Sequence, residues 1–580
     1  EELQFFNFDI PTAKKEKKLG RLGNDLQEKM FEYIKLNRNK YSPKVFQALQ
    51  NPRSELINVE LITKLVWHIY DTQPQGAILI FLPGAKMITS LHNMLDCESN
   101  RTRRCLLIYP LHSQMPTAYQ KEIFQIPPFG FRKVIISTNI AETSITVEDV
   151  KYVIDCGKCK LKTFDIDTKL ESLSDHWVSI ANMKQRKGRA GRTSEGVSYH
   201  LFSRPRLSTF IDYQLPEMLR TRIEEVILRI KLLQLGDISD FLKNVLDPPD
   251  EKVVKFSIEL LQRLNALDAA QNLTPLGYHL AQLPMDPQIG KMILMASLFS
   301  CVEPIFSIAA SLAYKDAFVY PIGKEQQVNN RKIELSNNTR SDHLMLSEVM
   351  SGFEDAQMSN QVSSYCWKNF VNAPTLHLLQ DMKKEFAVHL YDKHFLYSKD
   401  VQEPISNMHS HNVKLLRAIV CAGLYPNVAY ARVGKQRNKK PARIKFFSME
   451  GGTPKYVEFH PGSVNAMEKY FDSHYFVFHK KMKTSKVYLY DTTMVDPLAL
   501  IFFGDNIVKG IEDDIEFISV DGMQFRCKNE IADIILQLKK YLDDILLFKV
   551  SNARYVDWKN DCDTEVKILT MISELIGGEN

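Results

Sequence analysis

The sequence predicts a multidomain protein: an α/β domain built on a parallel sheet, then a long helical region, then a small β-barrel followed by a C-terminal helix. Three changes of texture carry this. Between residues 58 and 203, short β-branched runs alternate with helix-like segments; after Pro216, apolar residues recur at helical spacing; beyond Leu415, strand-like runs return between turns. At 580 residues, with 44% hydrophobic and 25% charged, the chain is long enough for several buried cores and too apolar for general disorder.

Each element has its own signal. The first 50 residues are charged and helix-prone, with a basic knot at Lys14, Lys15, Lys17 and Lys18, and read as a linker or docking segment. The runs GAILIFLPG (76–84), RKVIIST (132–138), KYVIDCG (151–157) and GVSYHLF (196–202) are apolar on both faces, as strands of a covered parallel sheet are. Helix-like segments at 85–96 and 117–124 lie between the first two runs. Ligands of such a sheet gather at the carboxyl ends of its strands. Leu219, Ile223, Val226, Ile227, Ile230 and Leu233 mark one helix face, with Gly236 where a C-cap would sit. Pro248 and Pro249 break the next helix, residues 252–265 form another, LTPLG (273–277) reads as a turn suited to a wing, and helices continue to about Lys393. RIKFF (443–447), KYVEF (455–459), YFVFH (475–479), KVYLY (486–490) and ALIFF (499–503) read as barrel strands, and 530–547 as an amphipathic helix.

Composition narrows the function classes. No run approaches the roughly 18 apolar residues of a membrane span; AILIFL (77–82) is among the longest. Nine scattered cysteines fit free thiols in a reducing compartment. Cys156 and Cys159 form a lone CxxC without a second pair or histidines at ligand spacing, so they read as ordinary thiols and no metal site is expected. The net charge of +5 is small, so any nucleic-acid footprint must come from local basic clusters. The first residue is Glu1 and no signal peptide follows it, which reads as a piece of something longer or a processed chain.

The most informative stretch is QRKGRAGR (185–192). If it is helical, Gln185, Arg189 and Arg192 share one face. Gly188 and Gly191 would then cost about 1 kcal/mol each against alanine, and close approach of another surface is a reason to keep them. Guanidinium groups over such an uncluttered patch suit an arginine finger, which stabilises charge developing on a transferring γ-phosphate; the alternative is a solvated basic helix. STNIAETSIT (137–146) follows directly on the strand RKVII. Its hydroxyl and amide groups suit phosphate oxygens, and the alternative is a strand-to-helix turn with a capping box.

Together with FLPG (81–84) and LHSQMP (111–116), these motifs resemble, in order, motif IV, the segment after it, motif V and motif VI of the second RecA-like domain of superfamily 2 helicases of the DEAH/RHA group. The likeness continues through LDPP (246–249), LTPLG, RSDHL (340–344) and HPGSV (460–464), from about residue 54 to residue 549. Within the group, VCAGLYP (420–426) and KVYLYDTT (486–493) are most similar to the G-quadruplex-resolving branch. The resemblance implies a linker or docking segment at 1–53, a RecA-like domain at 54–204, a winged helix at 205–277, a ratchet bundle at 278–400, an OB fold at 411–510 and a C-terminal extension at 511–580.

It also implies roles. Arg189 and Arg192 fall on the finger positions and Gln185 on the phosphate-side polar contact. Glu148 falls near the ribose contact, where many members have aspartate, and Phe124 on an adenine-stacking aromatic; Ser144, Thr146 and Gly188 lie on the nucleotide side. Thr138 and Asn139, with Gly84 and Ser113, match positions that touch the nucleic-acid backbone. Residues 157–173 correspond to a strand-parting β-hairpin, with Lys158, Lys160 and Lys162 along its path. ATP and Mg²⁺ are the implied cofactors, single-stranded RNA or DNA and G-quadruplexes the implied partners, no membrane is involved, and the cytoplasm and nucleus are the implied location.

One departure matters: the 580 residues contain no GxxxxGK[ST] phosphate loop and no DExH sequence. The first RecA-like domain, and the Mg²⁺ ligands expected on it, are therefore missing, and the chain holds half of an ATP site. The expectation is the rear part of a 3′ to 5′ helicase whose front half is cleaved, omitted or on another chain, inactive by itself. In the barrel, Lys435, Arg437, Lys439, Lys440, Arg443 and Lys445 crowd one hairpin, and His479, Lys480, Lys481 and Lys483 another, with Phe446, Phe447 and Tyr475 between them. Solvated loops are the alternative; two such runs on one small barrel favour nucleic-acid contact. A competing reading is a non-catalytic adaptor that keeps the winged-helix and OB modules. A DNA-binding regulator is weaker, because Asp250, Glu251 and Glu259 make its would-be recognition helix acidic.

Overall fold

The structure is a computed structural model that describes residues 24–111, 123–143, 147–165, 170–283, 285–314, 316–321, 323–433, 444–450, 453–484, 486–512, 515–560 and 562–578. The chain divides into two compact units, one comprising 1–162, 173–215 and 320–323, the other 163–172, 216–319 and 324–580.

The first unit is built on β1 (Ala77–Phe81), β2 (Leu106–Leu111), β3 (Arg132–Ser137), β4 (Val150–Asp155) and β7 (Val197–His200), in the order β2-β3-β1-β4-β7. Every pairing is parallel, with Ile80 opposite both Ile136 and Ile154. Both faces of the sheet are covered, which is why the runs are apolar throughout. Ile78, Ile80, Val134, Ile136 and Ile154 pack on helices Val59–Thr72 and Ala85–Thr102 through Ile62, Val66, Ile88 and Leu91; Leu79, Phe81, Ile135 and Val153 turn the other way, toward Ala141 and Ala190. The charged ends of β3 are absorbed locally: Arg132 donates to the Gln73 and Pro74 carbonyls at 2.9 and 2.7 Å, and Lys133 pairs with Asp149 at 2.8 Å. Residues read as a linker form two helices, Asn24–Leu36 and Pro43–Gln50, which bury Leu26, Met30, Val45 and Phe46.

The second unit is helical first. Asp237, Asp250 and Asp286 each cap a helix through the side chain, so Asp250 and Glu251 sit at the positive end of Glu251–Arg263, where acidic residues belong. LTPLG departs from the expected turn: Thr274 caps the helix Pro275–Gln282, with Pro275 in its first turn. Helix Pro287–Leu298 is buried almost along its whole length and lies tight against Val413–Leu424, where a Cβ on Gly423 would meet Met292 Cβ at 2.5 Å.

The barrel follows, from β8 (Val428–Val433), β9 (Ile444–Glu450), β10 (Thr453–Phe459), β11 (Tyr475–Lys483) and β12 (Val487–Val495). It closes because β12 pairs with both β10 and β11. ALIFF is not a strand. Pro497 starts the short helix Pro497–Phe503, and Ala499 to Phe503 are all buried; a short apolar run with no alternation is compatible with either element. A three-stranded sheet (β13, Ile507–Glu512; β14, Ile515–Val520; β15, Met523–Arg526) and helices Asn529–Asn552 and Thr564–Gly577 complete the unit.

Candidate functional site

Three segments converge at the carboxyl edge of the parallel sheet. β3 ends at Ser137 and leads through Thr138 and Asn139 into the helical turn Ile140–Thr143. β4 ends at Asp155. Ser179 caps the helix Ile180–Gly188, its hydroxyl accepting from the Asn182 N–H at 3.1 Å.

Arg186 joins them. It is 1% exposed, its Nη1 lies 2.8 Å from Asp155 Oδ1 and its Nε 3.1 Å from Glu142 Oε2, and its guanidinium carbon stands 4.9 Å from the centre of the Phe81 ring. Nη1 also donates to the Lys158 carbonyl at 3.2 Å, and Glu142 accepts from the Asn182 amide. Burial alone would push the Asp155 carboxyl up, but the His200 ring 3.7 Å away and the Arg186 charge hold it below its ordinary range. Burial would likewise lower Arg186, and Asp155 and Glu142 hold it above its usual value.

QRKGRAGR is not one continuous helix. The helix stops at Gly188, Arg189 is its C-cap, and Arg192 lies beyond it. The glycines weaken helix propensity, and Ala190 is drawn down into the core beneath the sheet. Arg189 donates to the Glu142 carbonyl, so the turn after β3 and the arginine segment hold each other directly. Arg189 and Arg192 line one small pocket with Leu111, Ala141 and Val147. Partial burial pulls the Arg189 guanidinium below its ordinary range, and the neighbouring Arg192 charge adds to the effect. The rest of the pocket wall is apolar and includes Leu79, Ile135 and Val150 from the face of the sheet. Gln185 is exposed, and added Cβ atoms on Gly188 or Gly191 would meet nothing within 4 Å.

Other sequence-derived positions fall around this edge. Glu148 is exposed and its carbonyl accepts from the Thr193 hydroxyl at 2.5 Å, which fixes the loop after Arg192; Phe124 is exposed. The Thr138 N–H donates to Leu111 at 3.1 Å, and Asn139 is exposed. Gly84 caps helix Ala85–Thr102 and is overlain by Lys160, whose Cε would lie 3.1 Å from an added Cβ. Lys160 is exposed, on β5 (Lys158–Asp165), the strand that precedes β6 (Leu170–Trp177). Lys158 points inward instead: its ammonium donates to the Glu55 carbonyl at 2.5 Å, lies 4.5 Å from the centre of the Trp177 ring, and is held below its usual range by burial. Lys162 is half-buried. Cys156 and Cys159 are buried free thiols, the first pushed up to about 12 by burial. Ser113, Ser144, Thr146, Lys435, Arg437, Lys439 and Lys440, and most of the helix expected at 117–124, lie outside the described residues.

On the barrel, the aromatic residues between the basic runs have different neighbours. Phe446 belongs to the inner core, 4.1 Å between ring centres from Phe459, and Tyr475 packs on Phe525 at 5.1 Å. Phe447 faces outward. Lys480 is half-buried and pairs across strands with Tyr490, whereas Lys483 is exposed. The sequence reading missed Arg186, Glu142 and Asp155: they sit inside or beside the motifs, but spacing does not tell which arginine of QRKGRAGR turns inward.

Known families match in the order of the units. Residues 58–194 match the helicase conserved C-terminal domain, 257–285 the winged-helix part of the helicase associated domain (HA2), 286–346 its ratchet-like part, and 416–507 the oligonucleotide/oligosaccharide-binding (OB) fold. The chain is 42% identical to the ATP-dependent DNA/RNA helicase DHX36 of Homo sapiens over 553 residues, covering 95% of this chain and 54% of that protein. It is 38% identical to the DExH-box ATP-dependent RNA helicase DExH1 of Arabidopsis thaliana (90% of this chain, 52% of that one) and 36% identical to the putative ATP-dependent RNA helicase DHX57 of Mus musculus (95% and 42%). The chain thus spans about half the length of the relatives it matches. With a RecA-like parallel sheet, HA2 helices and a closed OB barrel in this order, the chain belongs to the DEAH/RHA helicases and corresponds to their C-terminal part.

Proposed function

We propose that this chain is the C-terminal part of an ATP-dependent helicase that moves 3′ to 5′ on single-stranded RNA or DNA and opens duplexes or G-quadruplexes, with Arg189 and Arg192 as its arginine fingers. The observation that carries this is the pair of guanidinium groups lining one pocket, with Arg189 tied to the carbonyl of Glu142, whose carboxylate takes Arg186. Bound ATP supplies the γ-phosphate whose developing negative charge such a pair stabilises. Arg189 and Arg192 would hold its phosphate end, Gln185 a phosphate-side oxygen, and Glu148 and Phe124 the ribose and base, with Ser144, Thr146 and Gly188 on the same side. The Mg²⁺ ligands are assigned to a P-loop domain, because no GxxxxGK[ST] or DExH sequence occurs in these 580 residues. Thr138, Asn139, Gly84 and Lys160 would face the strand. Similarity to proteins named DNA/RNA and RNA helicases supports the substrate class, and the G-quadruplex preference and a cytoplasmic and nuclear location rest on the sequence resemblance alone.

The test uses the longest natural form of the protein, with a P-loop domain present. Arg189→Ala and Arg192→Ala are each expected to lower ATP turnover by at least about 10³-fold and abolish unwinding, with strand binding retained. Turnover unchanged in both variants would sink the assignment, and strand binding with no turnover in the parent would point to the adaptor reading.

A further inference from the structure

The helix Asn529–Asn552 carries more apolar surface than its core uses. Its inward side is made by Ala532, Leu542, Ile545 and Val550, all buried. A second apolar stripe runs beside that one. Ile531, Ile534, Tyr541 and Phe548 are 50%, 60%, 42% and 48% exposed, and half-buried Leu538 lies between Ile534 and Tyr541. Single apolar side chains on a surface need no explanation, but a contiguous row of large ones marks a place where something binds.

The spacing of that row is specific. Ile531, Ile534, Leu538, Tyr541, Ile545 and Phe548 alternate steps of three and four residues, and of the six Ile545 alone is buried. A repeat of seven keeps one seam on one side of a helix, here over about 26 Å of its length, and it is the spacing at which a second helix packs its knobs into holes.

The two borders of the seam differ in charge. One is formed by Ile535, Leu542 and Lys549, which turn toward the core; Lys549 is buried and pairs with Glu565 at 2.6 Å. The other is formed by Glu530, Gln537 and Asp544, all exposed. Farther round the helix, Asp533 is taken by Lys509 at 2.7 Å and Lys539 by Asp543 at 3.1 Å, while Lys540 lies on the polar side away from the seam. The open border therefore presents two carboxylates and no cation. A second copy of this chain would bring the same carboxylates to the same border, where neither set meets a counter-charge.

We propose that this seam docks an amphipathic helix of a partner protein, one with apolar residues at heptad spacing and lysines or arginines along the side that meets Glu530 and Asp544. The apolar row supplies the buried contact, and the border charges select the partner's sign and register.

The experiment measures binding of the 580-residue chain, by fluorescence anisotropy, to a labelled synthetic helix of about 24 residues with Leu and Ile at heptad positions and Lys at the bordering ones, and to a twin with Glu in place of those Lys. The Lys peptide should bind at least about tenfold more tightly than its twin. Tyr541→Glu and Phe548→Glu should each weaken it about tenfold while thermal unfolding of the chain stays as in the parent. The double variant Glu530→Lys with Asp544→Lys should prefer the Glu peptide. Equal binding of the two peptides, binding of neither, or binding unaffected by Tyr541→Glu and Phe548→Glu would overturn the assignment. So would self-association of the parent in sedimentation that Tyr541→Glu abolishes, since a second copy would then be the occupant.

Discussion

Arg186 and Asp155 form a buried ion pair, Nη1 to Oδ1 2.8 Å, at the carboxyl end of β4. Its partner Glu142 contributes twice, through a carboxylate that takes Arg186 and a carbonyl that takes Arg189. The arginine that faces the pocket is therefore placed by one that does not.

Removing the buried partner leaves a carboxylate without its counter-charge, which typically costs about 3–5 kcal/mol. Arg186→Ala should lower the unfolding transition of the first unit by that amount in calorimetry and leave the second unit's transition in place. The Asp155 carboxyl is held below its unfolded value of 3.8, so its contribution is present above that pH and lost as the pH falls through the folded value. The parent should accordingly lose stability in strong acid more steeply than Asp155→Asn. Equal acid profiles would show that the pair contributes nothing.

Asp342 ties the helix Asp342–Met358 to the barrel. Its carboxylate accepts from Ser463 Oγ at 2.6 Å, the Val464 N–H at 2.8 Å, and the Thr492 N–H and hydroxyl at 2.7 and 3.1 Å. Asp342→Asn replaces one acceptor with a donor that faces other donors, so it should cost the second unit about 2–3 kcal/mol, close to the effect of Asp342→Ala. A stable asparagine variant in denaturant titration would mean that the amide finds new partners and that the four donors do not require a carboxylate.

Next to it, His343 donates or accepts at Thr493 Oγ1 over 2.7 Å and is pushed down to about 4 by burial. A histidine with a depressed folded value remains neutral while the unfolded chain takes up a proton. Its contribution is full above the unfolded value of 6.5 and falls as the pH drops from there to about 4, by about 3 kcal/mol. His343→Asn should remove that part of the pH dependence between pH 7 and 4. The same slope in variant and parent would place the titration on other groups.

These joints explain which parts of the molecule could be read from the residues. The parallel strands were legible because covering both faces demands uninterrupted apolar runs, as in Ala77–Phe81 and Arg132–Ser137. ALIFF was not, since a short apolar run carries no period and Pro497 at a helix start outweighs strand propensity. LTPLG looked like a turn because Thr and Pro favour turns, but the same two residues are an N-cap and first helical position. Motif spacing located the arginine segment, while the split between a buried Arg186 and pocket-lining Arg189 and Arg192 depends on Glu142 and Asp155, which lie 44 and 31 residues away in sequence. Outward Phe447 and inward Phe446 differ only in strand register, which the KFF run does not fix.

Gly188 and Gly191 give a test that separates folding from docking. Neither needs a left-handed backbone, and an added Cβ on either would meet open space in this chain. Gly188→Ala, at the last residue of its helix, should leave the stability of the 580-residue chain unchanged or raise it by up to about 1 kcal/mol, and Gly191→Ala should be neutral. If the glycines are small because a P-loop domain closes on them, the same substitutions in the longest natural form should lower ATP turnover at least about tenfold while thermal unfolding stays as in the parent. Full turnover in both variants would show that no surface approaches there, and Arg189 and Arg192 would then need another explanation for their glycine flanks.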